Sequence, residues 1–306
     1  MVDRYRNYHS QRRVPQRKKP SGNRLFFGLV VIALFIGGRM AYNTLQKPAT
    51  KSQAKAVTGT ATKKTTPVKA EAINDATWSK LQSQMADIIA ANPDLDISVS
   101  IVDINSGTKA SYGVGEAFHG ASTTKVLTAA AYLHDVEQGK RSLDENLGGG
   151  SAESHLKRMI NLSDNNSWAV LNSAVGYARL DSYAQSIGVS SCKYLGNLMT
   201  SSDQAEILSK LYQGKLLNKA HTDLLLSFMQ NTNNEDMIPK VNPGGTLYHK
   251  YGQLEDRLHD SAIINYKNRP IVLVIYTKGL GDGNIYSSRI QLIQTIATTA
   301  FTTIYK

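Results

Sequence analysis

Between residues 76 and 306 the spacing of apolar side chains changes repeatedly, and each change marks a different kind of element. In ATWSKLQSQMADIIAANPD, Trp78, Leu81, Met85, Ile88 and Ile89 fall on one helical face, which predicts an amphipathic helix. DISVSIVDINSGTKASYG then alternates, breaks at Asn105-Ser106-Gly107 and resumes, the pattern of a β-hairpin. Helical periodicity returns from Ser122 to about Val136. It continues between polar loops from Ala152 to about Leu225, where strand signals are missing. Three β-rich runs follow, TLYHKYGQ, DRLHDSAIINY and PIVLVIYTKGL, separated by turn residues such as Lys267-Asn268-Arg269-Pro270. IYSSRIQLIQTIATTAFTTIY closes the chain as a second amphipathic helix.

This order predicts an α+β fold. Five strands from the two ends of the domain join in one antiparallel sheet flanked by the terminal helices, and the helical middle forms a second, all-helical lobe. A cleft between the lobes is the expected ligand site.

The first 75 residues read differently. From Leu25 to Tyr42 the chain is apolar except for Arg39, and at ~1.5 Å per residue the run covers about 27 Å of a ~30 Å hydrocarbon layer. Eight basic residues precede it, among them Arg12, Arg13, Arg17, Lys18 and Lys19, which predicts a cytoplasmic tail over 1–24 and a transmembrane signal anchor over 25–42. Everything beyond is then expected outside the cell, on the cell-wall side of the plasma membrane. Residues 43–75, rich in Thr, Lys and Ala, have too few large apolar side chains to fold and read as a flexible stalk before a domain at 76–306. Ala54-Lys55-Ala56 resembles a signal-peptidase site but lies too far past the apolar run.

Charge follows the same division. The formal +11 points at first to a nucleic-acid partner, but residues 1–75 hold 15 Lys and Arg against Asp3, Glu71 and Asp75. Residues 76–306 carry 20 against 21, so the basicity belongs to the tail, where it sets topology, and no nucleic-acid partner is expected. Cys192 is the single cysteine, which rules out an internal disulfide.

The candidate chemistry begins in GASTTKVLTAAAYL, where Ser122 and Lys125 open a helical run. A serine at a helix start gains from exposed N–H groups, and a lysine one turn on can act as a neutral base if desolvated. The Ser-x-x-Lys pattern also occurs at Ser52, Ser106, Ser154 and Ser190. The first lies in the stalk, the second in the hairpin turn, and the last two in polar, loop-like context. Downstream stand Ser163-Asp164-Asn165 and then Lys250 and Gly252 on a predicted strand. Ser-x-x-Lys, Ser-Asp-Asn and Lys-Thr-Gly in this order mark penicillin-recognising serine enzymes.

Over roughly residues 76–306 the chain therefore resembles the class A β-lactamase-like serine hydrolases, kin of penicillin-binding proteins. The resemblance implies that Ser122 is the acylated nucleophile, Lys125 its proton acceptor and Ser163 a proton relay to the leaving nitrogen. It implies that Asn165 binds the substrate amide, that Asp164 is structural, and that Lys250 attracts a substrate carboxylate. The backbone N–H groups of Ser122 and Gln253, beside Gly252, would form an oxyanion hole. The implied partners are cell-wall muropeptides, D-alanylated polymers or β-lactams, and the implied activity is a D-alanyl carboxypeptidase or esterase. A true β-lactamase and a non-catalytic wall-binding or β-lactam-sensing domain are the alternatives.

Two positions depart from the family. SSCKYLGNLMTSSDQ holds no glutamate where class A enzymes carry the one that activates the deacylating water; Glu206 and Glu235 come later. Tyr251 replaces the Thr or Ser of Lys-Thr-Gly, which points to an altered substrate preference. No cofactor and no metal are expected: His249 and His259, even with Asp260 beside them, have no further ligand in evidence, and Gly279, Gly281 and Gly283 read as a turn.

Overall fold

The computed structural model describes residues 72–279 and 286–306. The tail, the apolar run at 25–42, the stalk to residue 71, and Gly281 and Gly283 lie outside the described residues. No helix among the described residues is long and apolar enough to cross a membrane.

Ile73 is buried and donates its N–H to Asp103 Oδ2 (2.8 Å). Asn74 caps α1 (Asp75–Ala90) by accepting from Thr77 N, and Leu81 and Met85 on the inner face are fully buried, each burial contributing ~1.5–3 kcal/mol. The hairpin follows as β1 (Leu95–Asp103) and β2 (Lys109–Gly113), with Ser106 exposed in its turn. β3 (Phe118–His119) leads through a 3-10 turn, Ala121–Thr124, into α2 (Lys125–Glu137). The helical middle is α3 (Ala152–Asn161), α4 (Asn165–Val175) and α5 (Tyr177–Ser186), then β4 (Leu198–Met199), α6 (Ser201–Tyr212) and α7 (Lys219–Phe228). β5 (Thr246–Leu254), β6 (Arg257–Tyr266), β7 (Arg269–Gly279) and α8 (Tyr286–Ile304) complete the domain.

The five long strands form one antiparallel sheet in the order β2-β1-β7-β6-β5. Lys267 and Asn268, both at positive φ (52° and 59°), make the β6–β7 turn, so Arg269 and Pro270 already belong to β7. One face of the sheet packs with α1 and α8 through Ile97, Ile101, Leu273, Ile275, Ile296 and Phe301. The opposite face, through Val272, Val274 and Tyr276, joins the core of the helical lobe around Leu127, Leu156 and Leu208.

Strand signals were not expected in the helical middle, yet β4 pairs with β3, Phe118 opposite Met199 and His119 opposite Leu198. Two residues are too few for alternation to register as a pattern. The pairing is functional in its placement: β3 delivers the chain to Ser122, and β5 is the sheet edge that faces that turn.

Candidate active site

Ser122 sits inside the 3-10 turn, and the α-helix proper starts three residues later at Lys125. The turn is tied from several sides. Thr123 Oγ1 donates to Gly120 O (2.6 Å) and is 2.7 Å from Tyr276 OH on β7, while Thr124 Oγ1 donates to Ala121 O (3.1 Å). Asn197 donates its side-chain amide to Ala121 O (2.9 Å), and its backbone carbonyl accepts from Gly120 N (2.8 Å). Asn197 went unnoticed in the sequence; it lies in the short segment that lacks the glutamate, and its Oδ1 is buried beside the turn without a partner among the described residues.

Burial separates this Ser-x-x-Lys from the others. Lys125 is fully buried, whereas Lys109, Lys157 and Lys193 are exposed. Lys125 Nζ donates to Ser163 O (2.7 Å), Asn165 Oδ1 (2.7 Å) and Ser163 Oγ (3.3 Å), and it lies 5.1 Å from the centroid of the Trp168 ring. Ser122 Oγ is not among its partners, so the expected direct pair is replaced by contacts that run through the Ser163 turn. Burial lowers the Lys125 pKa to about 8, opposed by the nearby Asp164 carboxylate.

Ser163 adopts the left-handed conformation (φ 56°), which turns the chain from α3 into α4. Asp164 caps α4, accepting from Asn166 N (3.2 Å), Ser167 N (2.9 Å) and Ser167 Oγ (2.6 Å). The Ser167 hydroxyl bond, ahead of those from the amides, keeps its carboxyl below the usual range. Asn165 is thereby fixed in the first turn, its side-chain oxygen on Lys125.

Lys250 arrives from the other side on β5. It is fully buried, donates to Ser163 Oγ (2.9 Å) and to Tyr251 O (3.0 Å), and lies 4.2 Å from the centroid of the Tyr251 ring. Burial first, and then the charge of Lys125, push its pKa well down. Two residues on, Gly252 passes the Ser122 turn closely enough that an added Cβ would stand 3.0 Å from Ser122 N. Ser122, Ser163, Asn165, Tyr251 and Gln253 line one cleft of about 390 Å3, together with Leu162, Leu254 and Glu255.

Behind Lys250, His249 is buried between carboxylates: Nδ1 is 3.0 Å from Asp260 Oδ1, and Nε2 is 2.8 Å from Thr232 Oγ1 and 3.2 Å from Glu235 Oε1. Burial alone would depress its pKa, but Asp260 and then Glu235 more than reverse this and raise it to about 9. His259 instead contacts His119 O (3.0 Å) and accepts from Thr277 N (3.1 Å). The two histidines thus face different partners, and among the described residues no three His, Cys, Asp or Glu side chains converge as a metal site. Glu235 is committed to His249, and Glu206 pairs with Lys210 and Lys109. Neither lines the cleft.

A family model described as the beta-lactamase enzyme family matches residues 80–304. No curated protein matches the chain. Among solved structures, it is similar to the class A β-lactamase of the last common ancestor of Gram-negative bacteria, with a TM-score of 0.66 and 24% identity over 72% of this chain and 98% of that one. It is similar also to PBP-A, with a TM-score of 0.67 and 22% identity over 73% of this chain and 95% of that chain. A PBP-A variant captured as an acyl-enzyme complex with penicillin G gives 0.66 at 22% identity over 73% and 96%.

Proposed function

The chain belongs to the beta-lactamase enzyme family, and on that premise we propose that it is a serine hydrolase of the β-lactamase and penicillin-binding type, which forms an acyl intermediate on Ser122. The observation that carries the reading is the convergence of two buried lysines on one hydroxyl: Lys125 Nζ and Lys250 Nζ lie 3.3 Å and 2.9 Å from Ser163 Oγ, in the cleft that Ser122 also lines.

The chemistry follows from that arrangement. With a pKa near 8, a useful fraction of Lys125 is the free amine near neutral pH. As Ser122 Oγ attacks an acyl carbon, its proton passes to Lys125, reached through the Ser163 turn. The bond to the leaving group then breaks, and Ser163 Oγ hands a proton to the departing atom, resupplied by the lysines around it. The Ser122 and Gln253 amides stabilise the oxyanion. Water attacks the acyl-enzyme in the second half and restores the hydroxyl.

The substrates proposed are D-alanyl cell-wall peptides or esters and the β-lactams that mimic them, since a similar fold, PBP-A, has been captured with penicillin G as an acyl-enzyme. The apolar run at 25–42, behind a basic tail, supports a membrane anchor with the domain on the outer side. Intact-mass spectrometry of the full chain mixed with a penicillin, followed by peptide mapping, tests the reading. An adduct on Ser122 that vanishes in Ser122→Ala is expected, and undiminished labelling of that variant overturns it.

A further inference from the structure

The surroundings of Lys250 change what the cleft can recognise. An ammonium has three N–H directions. Two are taken by Ser163 Oγ and Tyr251 O, and the Tyr251 ring stands 4.2 Å away from Nζ, at cation–π distance. Lys250 is fully buried, and Tyr251, not Lys250, lines the cleft.

Among the described residues no other cation takes its place. Lys125 is buried against three acceptors, and Arg257, outside the lining, is ion-paired with Asp256 and lies 3.7 Å from Glu255. The lining includes Glu255 and no lysine or arginine. Its rim carries two of the exposed large apolar side chains of the domain, Leu162 (53% exposed) and Leu254 (39%). A substrate with a carboxylate beside its scissile bond would lose hydration in this cleft and find no available cation among the described residues in return.

We propose that Tyr251 is a specificity-determining residue that covers Lys250 and turns the cleft toward neutral acyl esters or amides, which carry no carboxylate next to the scissile carbonyl. The inference rests on acylation of Ser122. In that step the Ser122 Oγ–acyl bond forms, the C–O or C–N bond to the leaving group breaks, and the serine proton ends on the departing alcohol or amine, which leaves uncharged. A threonine or serine at 251 would leave the Lys250 ammonium with one N–H direction open to the cleft. The ring closes that direction without any change in the lysine itself.

The test compares second-order rate constants for acylation of the full chain by benzylpenicillin and by its methyl ester, read by intact mass with mapping to Ser122. The pair differs only in the carboxylate. The wild-type chain is expected to react with the ester at least as fast as with the acid. Tyr251→Thr is expected to shift the acid-to-ester ratio at least tenfold toward the acid, and Tyr251→Phe, which keeps the ring, to hold the wild-type ratio. The wild-type ratio needs no variant to fold. A wild-type preference for the acid, or a ratio that Tyr251→Thr leaves where it was in a folded variant, overturns this inference alone. No Ser122 adduct from either compound overturns the acylation reading and this inference with it.

Discussion

Gly252 and Ser122 meet through their backbones: a Cβ at position 252 would stand 3.0 Å from Ser122 N and 3.1 Å from both Ala121 Cβ and Gly120 O. All three neighbours belong to a turn anchored by Thr123, Thr124 and Asn197, so none can yield without moving Ser122. Gly252→Ala should therefore cost roughly 1–2 kcal/mol of stability through overpacking and slow acylation by about tenfold or more, since small misplacements at a reacting centre are costly. Thermal melts and adduct formation rates measure the two effects, and an unimpaired rate would mean that the contact is not what places Ser122.

The depressed pKa of Lys125 sets a pH profile. Below about 8 the amine is protonated and cannot accept the serine proton, so the acylation rate should rise about tenfold per pH unit on the acid side and level off above pH 8. Lys125→Arg, which keeps a charge that never dissociates, should lose ~10²–10⁴-fold in rate and the limb with it. Adduct formation timed between pH 6 and pH 9.5 checks this, and a wild-type profile flat across that range would remove Lys125 from the proton path.

His249 gives a second, separable dependence. Its folded pKa, about 9, lies above the ordinary 6.5, so the folded state holds the proton more tightly. The stabilisation is fully present below about pH 6.5 and is lost as pH rises through 9, amounting to ~3 kcal/mol at most. His249→Gln should be less stable at pH 6 and should flatten the fall in melting temperature between pH 6.5 and 9. Equal slopes in both proteins would show that the Glu235–His249–Asp260 contacts carry no net charge coupling.

Release of the acyl group should be slow. Glu206 is held on α6 by Lys210 and Lys109, and Glu235 by His249, so neither stands in the cleft to activate water, and Glu255, which does line it, comes from the turn between β5 and β6 and not from the segment before α6. With a chromogenic cephalosporin we expect a stoichiometric burst followed by turnover slower than acylation by at least ~10²-fold, the size of a general-base contribution. Rapid steady-state hydrolysis without a burst would point to another base.

The sequence made the sheet, the terminal helices and all three motifs legible, because each rests on local periodicity or on short spacing. β5 carries Lys250 and Gly252 in a run whose strand character is plain, and Ser163-Asp164-Asn165 opens a helix through an ordinary capping aspartate. What escaped depends on long-range packing. Ser98 and Ser100 alternate with apolar residues as if facing water, yet both are buried against Ser201 of α6 (2.8 and 2.7 Å). Asn197 and Trp168 act on the site across 76 and 43 positions from their partners Ala121 and Lys125, and nothing in their immediate neighbours marks them. The position of Tyr251 over Lys250 is likewise a matter of how an edge strand meets a turn; the sequence reported only that an aromatic stood where a small hydroxyl was expected.

Ser163 is held at φ 56° and Ala121 at φ 49°, conformations that cost a residue with a Cβ about 1 kcal/mol or more and cost glycine almost nothing. A chain shaped by durability alone would drift to glycine at both places. This one keeps a hydroxyl-bearing residue at the more exacting of them, pinned by Lys125 to its carbonyl oxygen (2.7 Å). The backbone at Ser163 is thus a trade between lifetime and reactivity: in a laboratory search for longer-lived variants of this domain, glycine at that position would gain durability and give up the hydroxyl on which the two lysines converge.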